Sequence, residues 1–289
     1  MVYPEKIDLH MHSTVSDGTD TPEELLALVR EAGITLFSLT DHDAVKGSLL
    51  IRRKRKEGDP LFLTGVEFSC RDEQGKYHIL GYGYDPEAAS VKEMIARGHG
   101  IRMNKVRGRI RKLKEQFGIE LPEDEVKSLL LLDNPGKPHI GNLMVRLGFV
   151  KTKEEAMEGY LNRIHLHNEY IRPEEAIRAI IESGGIPVLA HPSYGSGSEI
   201  ITGEEMDGRL RRLIGFGLRG VEAFYSGFTG KLIGEMLYFA DRYGLMVTAG
   251  SDYHGKNKLI QLGDTNLCTP EEYPDGLKRF LEEASDRMI

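Results

Sequence analysis

The sequence of 289 residues has few cysteines and no tryptophan. Only Cys70 and Cys268 are present, and they lie too far apart to form a paired-cysteine metal motif, so we expect two reduced thiols without a function. No apolar run approaches the roughly 18 residues that a transmembrane helix needs, and the first residues lack the apolar segment of a secretory signal. These absences predict a cytoplasmic protein that does not bind a membrane.

Positive charge is also in deficit. Lysine and arginine total 38 against 45 acidic residues, for a formal net charge of −7. This balance argues against a dedicated binder of duplex DNA, whose surface is basic. The sequence contains neither GxxxxGK[ST] nor a strand-borne GxGxxG, so it gives little support to a nucleotide-driven motor or a Rossmann enzyme. With 40% hydrophobic residues it can still bury a sizeable core.

Helices alternate with short apolar strands in the first and last parts of the chain. The predicted strands cover residues 7–9, 34–39, 61–66, 77–82, 186–190, 220–224 and 245–249. The predicted helices between them cover residues 22–32, 173–183, 204–216 and 229–243. Such alternation favours parallel strands in an α/β barrel or a doubly wound sheet.

The middle of the chain breaks this alternation. Helical patterns near 91–117, 123–132, 139–147 and 153–161 follow one another without an intervening strand. We therefore predict one α/β unit formed by residues 1–87 and 171–289, with an all-helical insertion domain at 88–170 acting as a substrate cap.

Histidines recur in the predicted strands or directly after them. The recurring set is His10, His12, His42, His78, His191 and His254, accompanied by Glu67 and Asp252. Residues two apart in a strand point to the same side, so His10 and His12 can present two imidazoles to one ion. Imidazole and carboxylate together suit zinc, manganese or iron. Because the carboxyl ends of parallel strands converge on one face, the set predicts a metal centre there.

The ordered motifs that contain these residues resemble those of the PHP family, named for polymerase and histidinol phosphatase domains. They are His10-Met11-His12-Ser13 with Ser16-Asp17-Gly18, Thr40-Asp41-His42-Asp43, Gly65–Ser69, His78–Tyr82, His191-Pro192 and Ser251-Asp252-Tyr253-His254. The resemblance covers residues 7–85 and 173–268. It implies a distorted (β/α)7 barrel that holds two to three divalent metal ions of manganese, zinc or iron.

The resemblance also implies how the ligands are shared among the ions. His10, His12, Glu67 and Asp252 would bind the first, Glu67, His78 and His191 the second, and Asp17, His42 and His254 the third. Asp41 is interpreted as a group that orients a ligand. Two neighbouring cations can lower the pKa of a shared water and bind phosphoryl oxygens, so hydrolysis needs no protein nucleophile. The residues expected to act in catalysis are Asp17, His42, Glu67, Asp252 and His254.

One segment reverses the negative charge of the chain. Residues 97–114 contain eight basic residues and no acid. On a helix, Arg102, Lys105, Arg109 and Lys112 share a face, which is either a solvated surface or a phosphate-binding surface over the barrel mouth.

The insertion, with Gly136-Lys137-Pro138-His139-Ile140 at a helix start, resembles the PHP subgroup that acts on 5′-nucleotides, nucleoside 3′,5′-bisphosphates or RNA 5′ ends. That resemblance makes Arg102, Asn104, Lys105 and His139 candidates for substrate contact.

The leading hypothesis is a metal-dependent phosphoesterase that acts on nucleotides or on short single-stranded RNA from its 5′ end, with no obligate protein partner. A histidinol-phosphate phosphatase is the alternative within the same class. A non-catalytic nucleic-acid-binding accessory protein, with metals as structural ties, is the alternative from another class. A phosphatase assay with added manganese separates the first two hypotheses from the third.

Overall fold

A computed structural model describes residues 3–166, 169–194 and 200–289. The strands within these residues are β1 Ile7–Asp8, β2 Leu36–Phe37, β3 Leu61–Phe62, β4 Gly65–Asp72, β5 Gly75–Tyr82, β6 Ile186–Leu189, β7 Gly220–Tyr225 and β8 Met246–Gly250. The α-helices are α1 Pro22–Glu31, α2 Lys46–Lys54, α3 Ala89–Phe117, α4 Glu123–Leu130, α5 Lys137–Arg146, α6 Lys153–Gly159, α7 Pro173–Glu182, α8 Gly203–Gly215, α9 Gly230–Tyr243 and α10 Asp275–Ala284. The fold is a mixed α/β fold, and none of the described helices is long and apolar enough to cross a membrane.

Helix α1 shows how local sequence sets these elements. The hydroxyl of Thr21 accepts a hydrogen bond from the backbone N–H of Glu24, and the Glu24 carboxylate accepts one from the backbone N–H of Thr21. This reciprocal capping was predicted from the sequence and fixes the first turn. Leu25 and Val29 then lie on the buried face, where they pack in one cluster with Phe37 of β2.

The strands pair in two sheets of order β1-β2-β3 and β4-β5-β6-β7-β8. Pairing is parallel throughout the first sheet and along β6-β7-β8. Strand β5 runs antiparallel to both β4 and β6. β4 and β5 form a hairpin in which Asp72 pairs with Gly75. Helix–strand alternation did not predict this hairpin, because a turn of two residues leaves no room for a helix between its strands.

Isolated pairings join the two sheets at both edges. His42, just beyond β2, pairs in parallel with Glu67 of β4, and Met11, just beyond β1, pairs in parallel with Tyr253. The backbone N–H of Leu9 also donates to the carbonyl of Ala249 in β8, at 2.9 Å. The described strands therefore form a closed circuit, with the histidine-bearing segments of the sequence following the ends of β1, β2, β6 and β8.

Helices α3 to α6 follow one another without a strand between them. They enclose a hydrophobic cluster of their own, which includes Val106, Leu113, Ile140 and Leu161. The larger cluster lies between the second sheet and its helices. Contacts from the helical segment reach the loops at the strand ends: the amide of Asn134 donates to the backbone carbonyl of His42. The segment thus packs beside the predicted metal ligands.

Candidate active site

Buried imidazoles and carboxylates converge just beyond the ends of β1, β2, β6 and β8, beside the first residues of β4 and the middle of β5. Among the described residues, three overlapping groups have ligand atoms close enough to share an ion. These groups are His12 with Asp17, His42 and His254; His10 with His12 and Glu67; and His42 with Glu67 and His78. The structure therefore brings together residues that are up to 244 positions apart in the chain, the separation between His10 and His254.

The ligands predicted for the first ion surround one small space. The Nε2 atom of His10 lies 3.4 Å from Glu67 Oε2 and 3.5 Å from Asp252 Oδ1. The Nε2 atom of His12 lies 3.2 Å and 3.3 Å from the same two oxygens. Two imidazoles and two carboxylates thus lie around one space, and they are the residues that the family resemblance implies for the first ion.

Glu67 presents its two oxygens to different sets of histidines. Its Oε1 atom lies 2.8 Å from His78 Nδ1 and 3.2 Å from His191 Nε2. Its Oε2 atom, which faces His10 and His12, also lies 3.0 Å from His42 Nδ1. A carboxylate placed in this way can bridge two cations, which is the role that the family resemblance implies for Glu67.

Asp17 lies near the other two residues that the resemblance implies for the third ion. Its Oδ1 atom lies 3.4 Å from His254 Nε2, and its Oδ2 atom lies 3.9 Å from His42 Nε2. His12 Nδ1 lies 3.8 Å from Asp17 Oδ1, so the ring of His12 also faces this site, as a third histidine beside His42 and His254. The sequence argument had placed His12 at the first site alone.

The unpartnered atoms of the cluster fit a set of cations. Within the described residues, His10 Nε2, His12 Nε2, Asp17 Oδ1, His42 Nδ1 and Glu67 Oε2 are buried without a hydrogen-bond partner. Such atoms are rare in folded proteins because each one costs free energy that water would otherwise offset. Divalent cations coordinated by these nitrogens and oxygens would remove that cost.

The charges of the cluster also suit metal ligation. Burial alone would raise the pKa of Glu67, yet the neighbouring His42, His78 and His10 hold it well below its usual range. Burial lowers the pKa of His78 to about 4, whereas Glu222, Glu67 and Asp252 raise the pKa of His10 against the effect of burial, so a cation would have to displace a proton from His10. Ionised carboxylates and neutral imidazoles are the forms that coordinate cations.

Glu222 is a buried residue of this site that the sequence argument missed. Its Oε1 atom accepts a hydrogen bond from His10 Nδ1 at 2.9 Å, and its Oε2 atom accepts one from the backbone N–H of His191 at 2.7 Å. Metal-bound histidines commonly donate their second N–H to a carboxylate in this way. The available signal was a single acid inside the apolar strand 220–224.

Asp41, predicted to orient a ligand, acts through serines. It accepts hydrogen bonds from the hydroxyls of Ser13 and Ser16, both at 2.7 Å. The Ser16 hydroxyl lies 3.4 Å from His12 Nδ1. Asp41 therefore touches no histidine in these contacts and reaches His12 by way of Ser16.

The backbone is strained at positions beside the cluster. Asp43, His191 and Asp252 have φ angles of 48°, 27° and 58°, a region that non-glycine residues seldom adopt. Conformations of this kind cost of order 1–3 kcal/mol each and persist where the surrounding structure imposes them. Strain at two predicted ligands is typical of a functional site.

A cavity of about 380 Å³ opens from the cluster toward the helical segment. Asp17, His42 and His78 line it on the side of the cluster. Five cationic side chains also line it: Lys76, Arg102, Lys105, Arg109 and Lys137. The cavity thus joins predicted metal ligands to a positively charged wall, within a chain whose net charge is negative.

The candidate substrate contacts lie in different environments. Arg102 has its guanidinium 3.6 Å from Asp17 Oδ2 and 3.6 Å from Asp43 Oδ2. Lys105 places its ammonium 4.1 Å above the ring of Tyr170. The Nδ1 atom of His139 accepts a hydrogen bond from the backbone N–H of Gly136 at 3.0 Å. Asn104, in contrast, is exposed and does not line the cavity.

Two basic residues of the cavity were not singled out from the sequence. Lys76 belongs to the β4–β5 hairpin, and Lys137 begins α5. Lys137 stands in the motif that suggested the subgroup, which was a usable signal. Lys76 offered none, because its position in the cavity depends on the packing of the hairpin against the helical segment.

Comparisons with known proteins agree with this geometry. The model of the PHP domain matches residues 8–116. The chain is 29% identical over 258 residues to phosphoribosyl 1,2-cyclic phosphate 1,2-diphosphodiesterase of Eggerthella lenta, covering 86% of this chain and 94% of that protein. It is 29% identical over 297 residues to 3′,5′-nucleoside bisphosphate phosphatase of Chromobacterium violaceum, covering 98% of each. It is 28% identical over 262 residues to a 5′-3′ exoribonuclease of Haemophilus influenzae, covering 90% of this chain and 93% of that protein.

A solved structure shares the whole fold. The crystal structure of a protein assigned as a metal-dependent phosphoesterase from Bifidobacterium adolescentis superposes with a TM-score of 0.83 at 27% identity, covering 97% of this chain and 98% of that one. The chain is thus similar to the PHP domain over residues 8–116 and, over nearly its whole length, to a metal-dependent phosphoesterase.

Proposed function

We propose that this protein hydrolyses phosphate esters of nucleotides, either a nucleoside 3′,5′-bisphosphate or the 5′ end of a short RNA. The observation that carries the proposal is the cavity that connects the metal-ligand cluster to five cationic side chains. The relatives in C. violaceum and H. influenzae are named for these two substrate classes. Histidinol phosphate would leave most of the cationic wall without a partner, since it carries a single phosphate.

We propose the following ligands for the cations. His10, His12, Glu67 and Asp252 would hold the first, Glu67, His78 and His191 the second, and Asp17, His42 and His254 the third. Bound manganese, zinc or iron would supply Lewis-acid polarisation of the phosphoryl group and activation of a water. The protein's own part is to fix these ligands, through Glu222 at His10 and through Ser16 at His12.

The charges along the cavity suggest how a substrate lies in it. A scissile phosphate beside Asp17, His42 and His78 would leave the rest of the nucleotide pointing toward Lys105, Arg109 and Lys137. A second phosphate there would form charge-assisted hydrogen bonds, each contributing about 1.5–3 kcal/mol. The cavity volume falls within the roughly 300–1,000 Å³ of typical ligand sites. A longer RNA would extend out of the cavity.

The finer architecture belongs to the same proposal. We assign the closed circuit to the distorted (β/α)7 barrel of the family, with β3 and β4 as successive parts of one strand. β3 pairs with β2, and His42 just beyond β2 pairs with Glu67 in β4, which supports this count. Residues 88–170 would then be a helical insertion between two barrel strands, covering the active site.

A substrate profile tests the proposed function. Purified protein with Mn²⁺ should give a higher kcat/KM for a nucleoside 3′,5′-bisphosphate and for a 5′-phosphorylated oligonucleotide than for AMP. p-Nitrophenyl phosphate and histidinol phosphate should be the poorest substrates, because they have neither a second phosphate nor a nucleoside that extends toward the cationic wall. A preference for histidinol phosphate would overturn the nucleotide assignment. A higher kcat/KM for the bisphosphate would indicate a phosphatase, and a higher kcat/KM for the oligonucleotide would indicate an exoribonuclease.

Neutralising the cavity cations should weaken nucleotide hydrolysis. Arg102→Gln and Lys105→Gln each remove one charge-assisted hydrogen bond of about 1.5–3 kcal/mol, so kcat/KM for nucleotides should fall roughly tenfold to a hundredfold. The loss should be small for p-nitrophenyl phosphate. Arg111 and Lys114 belong to the same helix, but their side chains are 70% and 61% exposed and pair with acids on the surface.

Arg111→Gln and Lys114→Gln are therefore the matched controls, and both should retain wild-type kcat/KM. If Arg102→Gln and Lys105→Gln also stay within twofold of wild type on nucleotides, the basic face of α3 is a solvated surface. The proposed substrate would then lose its physical support, while the metal centre would be unaffected.

Substrate preference should also depend on pH. Burial lowers the pKa of Lys105 and that of Lys137 from 10.5 to about 8. Both charges are present below this pH and are lost above it, so kcat/KM for the bisphosphate should fall relative to p-nitrophenyl phosphate as the pH rises through 8. Rate profiles between about pH 6.5 and 9.5 measure this ratio. In a Lys105→Gln/Lys137→Gln double variant the ratio should become flat, and a flat ratio in wild type would contradict the assignment.

A further inference from the structure

The two oxygens of Asp252 have different partners. Oδ1 faces the predicted metal ligands, at 3.5 Å from His10 Nε2, 3.3 Å from His12 Nε2 and 3.4 Å from His254 Nδ1. Oδ2 faces away from them and accepts hydrogen bonds from the hydroxyl of Tyr225, at 2.9 Å, and from the ammonium of Lys258. The family motifs, which supplied Asp252, did not supply Tyr225 or Lys258.

Both partners of Oδ2 are held in place by the fold. Tyr225 is the last residue of β7 and is buried, with its ring packed against Phe228 at 5.2 Å between centroids. Lys258 follows Asp252 by six positions, and a short 3-10 helix at Gly255–Asn257 lies between them, with a φ of 62° at Gly255 that suits glycine. The Lys258 side chain is about a third exposed, at 36%. Its ammonium thus reaches the carboxylate from the solvent side, while the Tyr225 hydroxyl reaches it from the interior.

Asp252 itself needs such support. Its φ of 58° is a strained conformation, so the direction of its side chain is not set by an ordinary backbone preference. A carboxylate that rotates freely can offer either oxygen, or both, to a cation. Two donors on Oδ2 stop that rotation and leave Oδ1 alone to face His10 and His12. The positive charge of Lys258 also offsets part of the negative charge gathered at Asp17, Glu67 and Asp252.

We propose that Tyr225 and Lys258 are positioning residues that restrict Asp252 to coordination through one oxygen at the first metal site. This inference rests on the proposed metal centre. Neither residue touches the substrate in this arrangement, and both act through Asp252. Hydrogen-bonding partners of metal ligands typically change metal affinity by about 10–100-fold when removed.

The test measures metal binding rather than activity. Full-length protein stripped with a chelator is titrated with Mn²⁺ by calorimetry, and the bound ion is followed by electron paramagnetic resonance. Tyr225→Phe removes one oxygen and keeps the packed ring, and Lys258→Met removes the charge from a partly exposed chain. Each substitution should lower the affinity for one equivalent of Mn²⁺ by about 10–100-fold. It should also broaden the electron paramagnetic resonance spectrum of that ion. Lys258→Arg keeps a cationic donor and should lie closer to wild type than Lys258→Met.

Matched controls come from the same loop. The Tyr253 hydroxyl donates to Asp20 at 3.0 Å, outside the metal-ligand set, and Lys256 is exposed. Tyr253→Phe and Lys256→Met should bind Mn²⁺ as wild type does. Affinities of Tyr225→Phe and Lys258→Met within twofold of wild type would overturn the positioning role. A tighter affinity in Lys258→Met would also overturn it, because Lys258 would then act by repelling the cation. A wild-type protein that binds no Mn²⁺ would instead refute the metal centre itself.

Discussion

A chelator should abolish hydrolysis, and added Mn²⁺ or Zn²⁺ should restore it. Two serines beside the cluster offer no substitute nucleophile, because Ser13 donates to Asp41 at 2.7 Å and Ser251 donates to Asp8 at 2.6 Å. Both serines are held by carboxylates that lie outside the proposed ligand sets. Loss of the cations should therefore leave no route to product. Metal analysis of active protein should find two to three equivalents.

The control for this experiment is a measurement that the metal-free protein is still folded. The hydrophobic clusters contain none of the proposed ligands, so the stripped protein should keep its circular dichroism spectrum. Metal binding to the folded state should raise Tm by mass action. Fewer than two equivalents in fully active protein would refute a multinuclear centre. Full activity in excess chelator would refute metal dependence altogether.

Substitution of single ligands should have the next largest effect. Asp252→Asn keeps the shape of the side chain and removes its charge, and His42→Ala removes a ring that faces both Glu67 and Asp17. Each disturbs a cation expected to activate water or hold the phosphoryl group. A Lewis acid stabilises the transition state by several kcal/mol, so losing about 3–4 kcal/mol lowers kcat by roughly two to three orders of magnitude.

Exposed residues of the same types provide controls. His165 lies on the surface of the helical segment, and Asp241 lies on the surface of α9. His165→Ala and Asp241→Asn should leave kcat unchanged. Steady-state kinetics at saturating metal, with metal content measured on each variant, separates a lost ion from a misplaced one. Near-wild-type turnover in Asp252→Asn or His42→Ala, with all ions bound, would remove these residues from the mechanism.

The metal-ligand cluster could be predicted because strand order places it. His10, His42, Glu67, His191 and Asp252 stand where predicted strands end or begin, and parallel pairing brings those positions to one face of the fold. The helices were also predictable, since their periodic apolar faces and caps are local. Helix α3 was expected near 91–117 and spans Ala89–Phe117.

What the sequence could not predict depends on packing between distant elements. Glu222 is one acid in an apolar strand. Its hydrogen bond with His10 can be recognised only once the fold places β7 beside His10. A Cβ at Gly250 would overlap both His10 and Glu222, so the close approach of β8 is part of the same arrangement. The resemblance had made Asn104 a candidate for substrate contact together with Arg102 and Lys105. The rotation of the helix instead places Asn104 on the exposed side of α3, because Asn104 and its neighbour Lys105 point in different directions.

The pairing of Met11 with Tyr253 has a consequence for how the protein is made. A ribosome completes His10 and His12 early and reaches Asp252 and His254 only near the end of this sequence. Synthesis proceeds at about 5–20 residues per second, so the first histidines exist for roughly 12–50 seconds before the last ligands emerge. During that interval the growing polypeptide can offer only part of the cluster to a cation. The complete set of proposed ligands therefore exists only after residue 254 has been synthesised, so the proposed cations can all bind only late in synthesis.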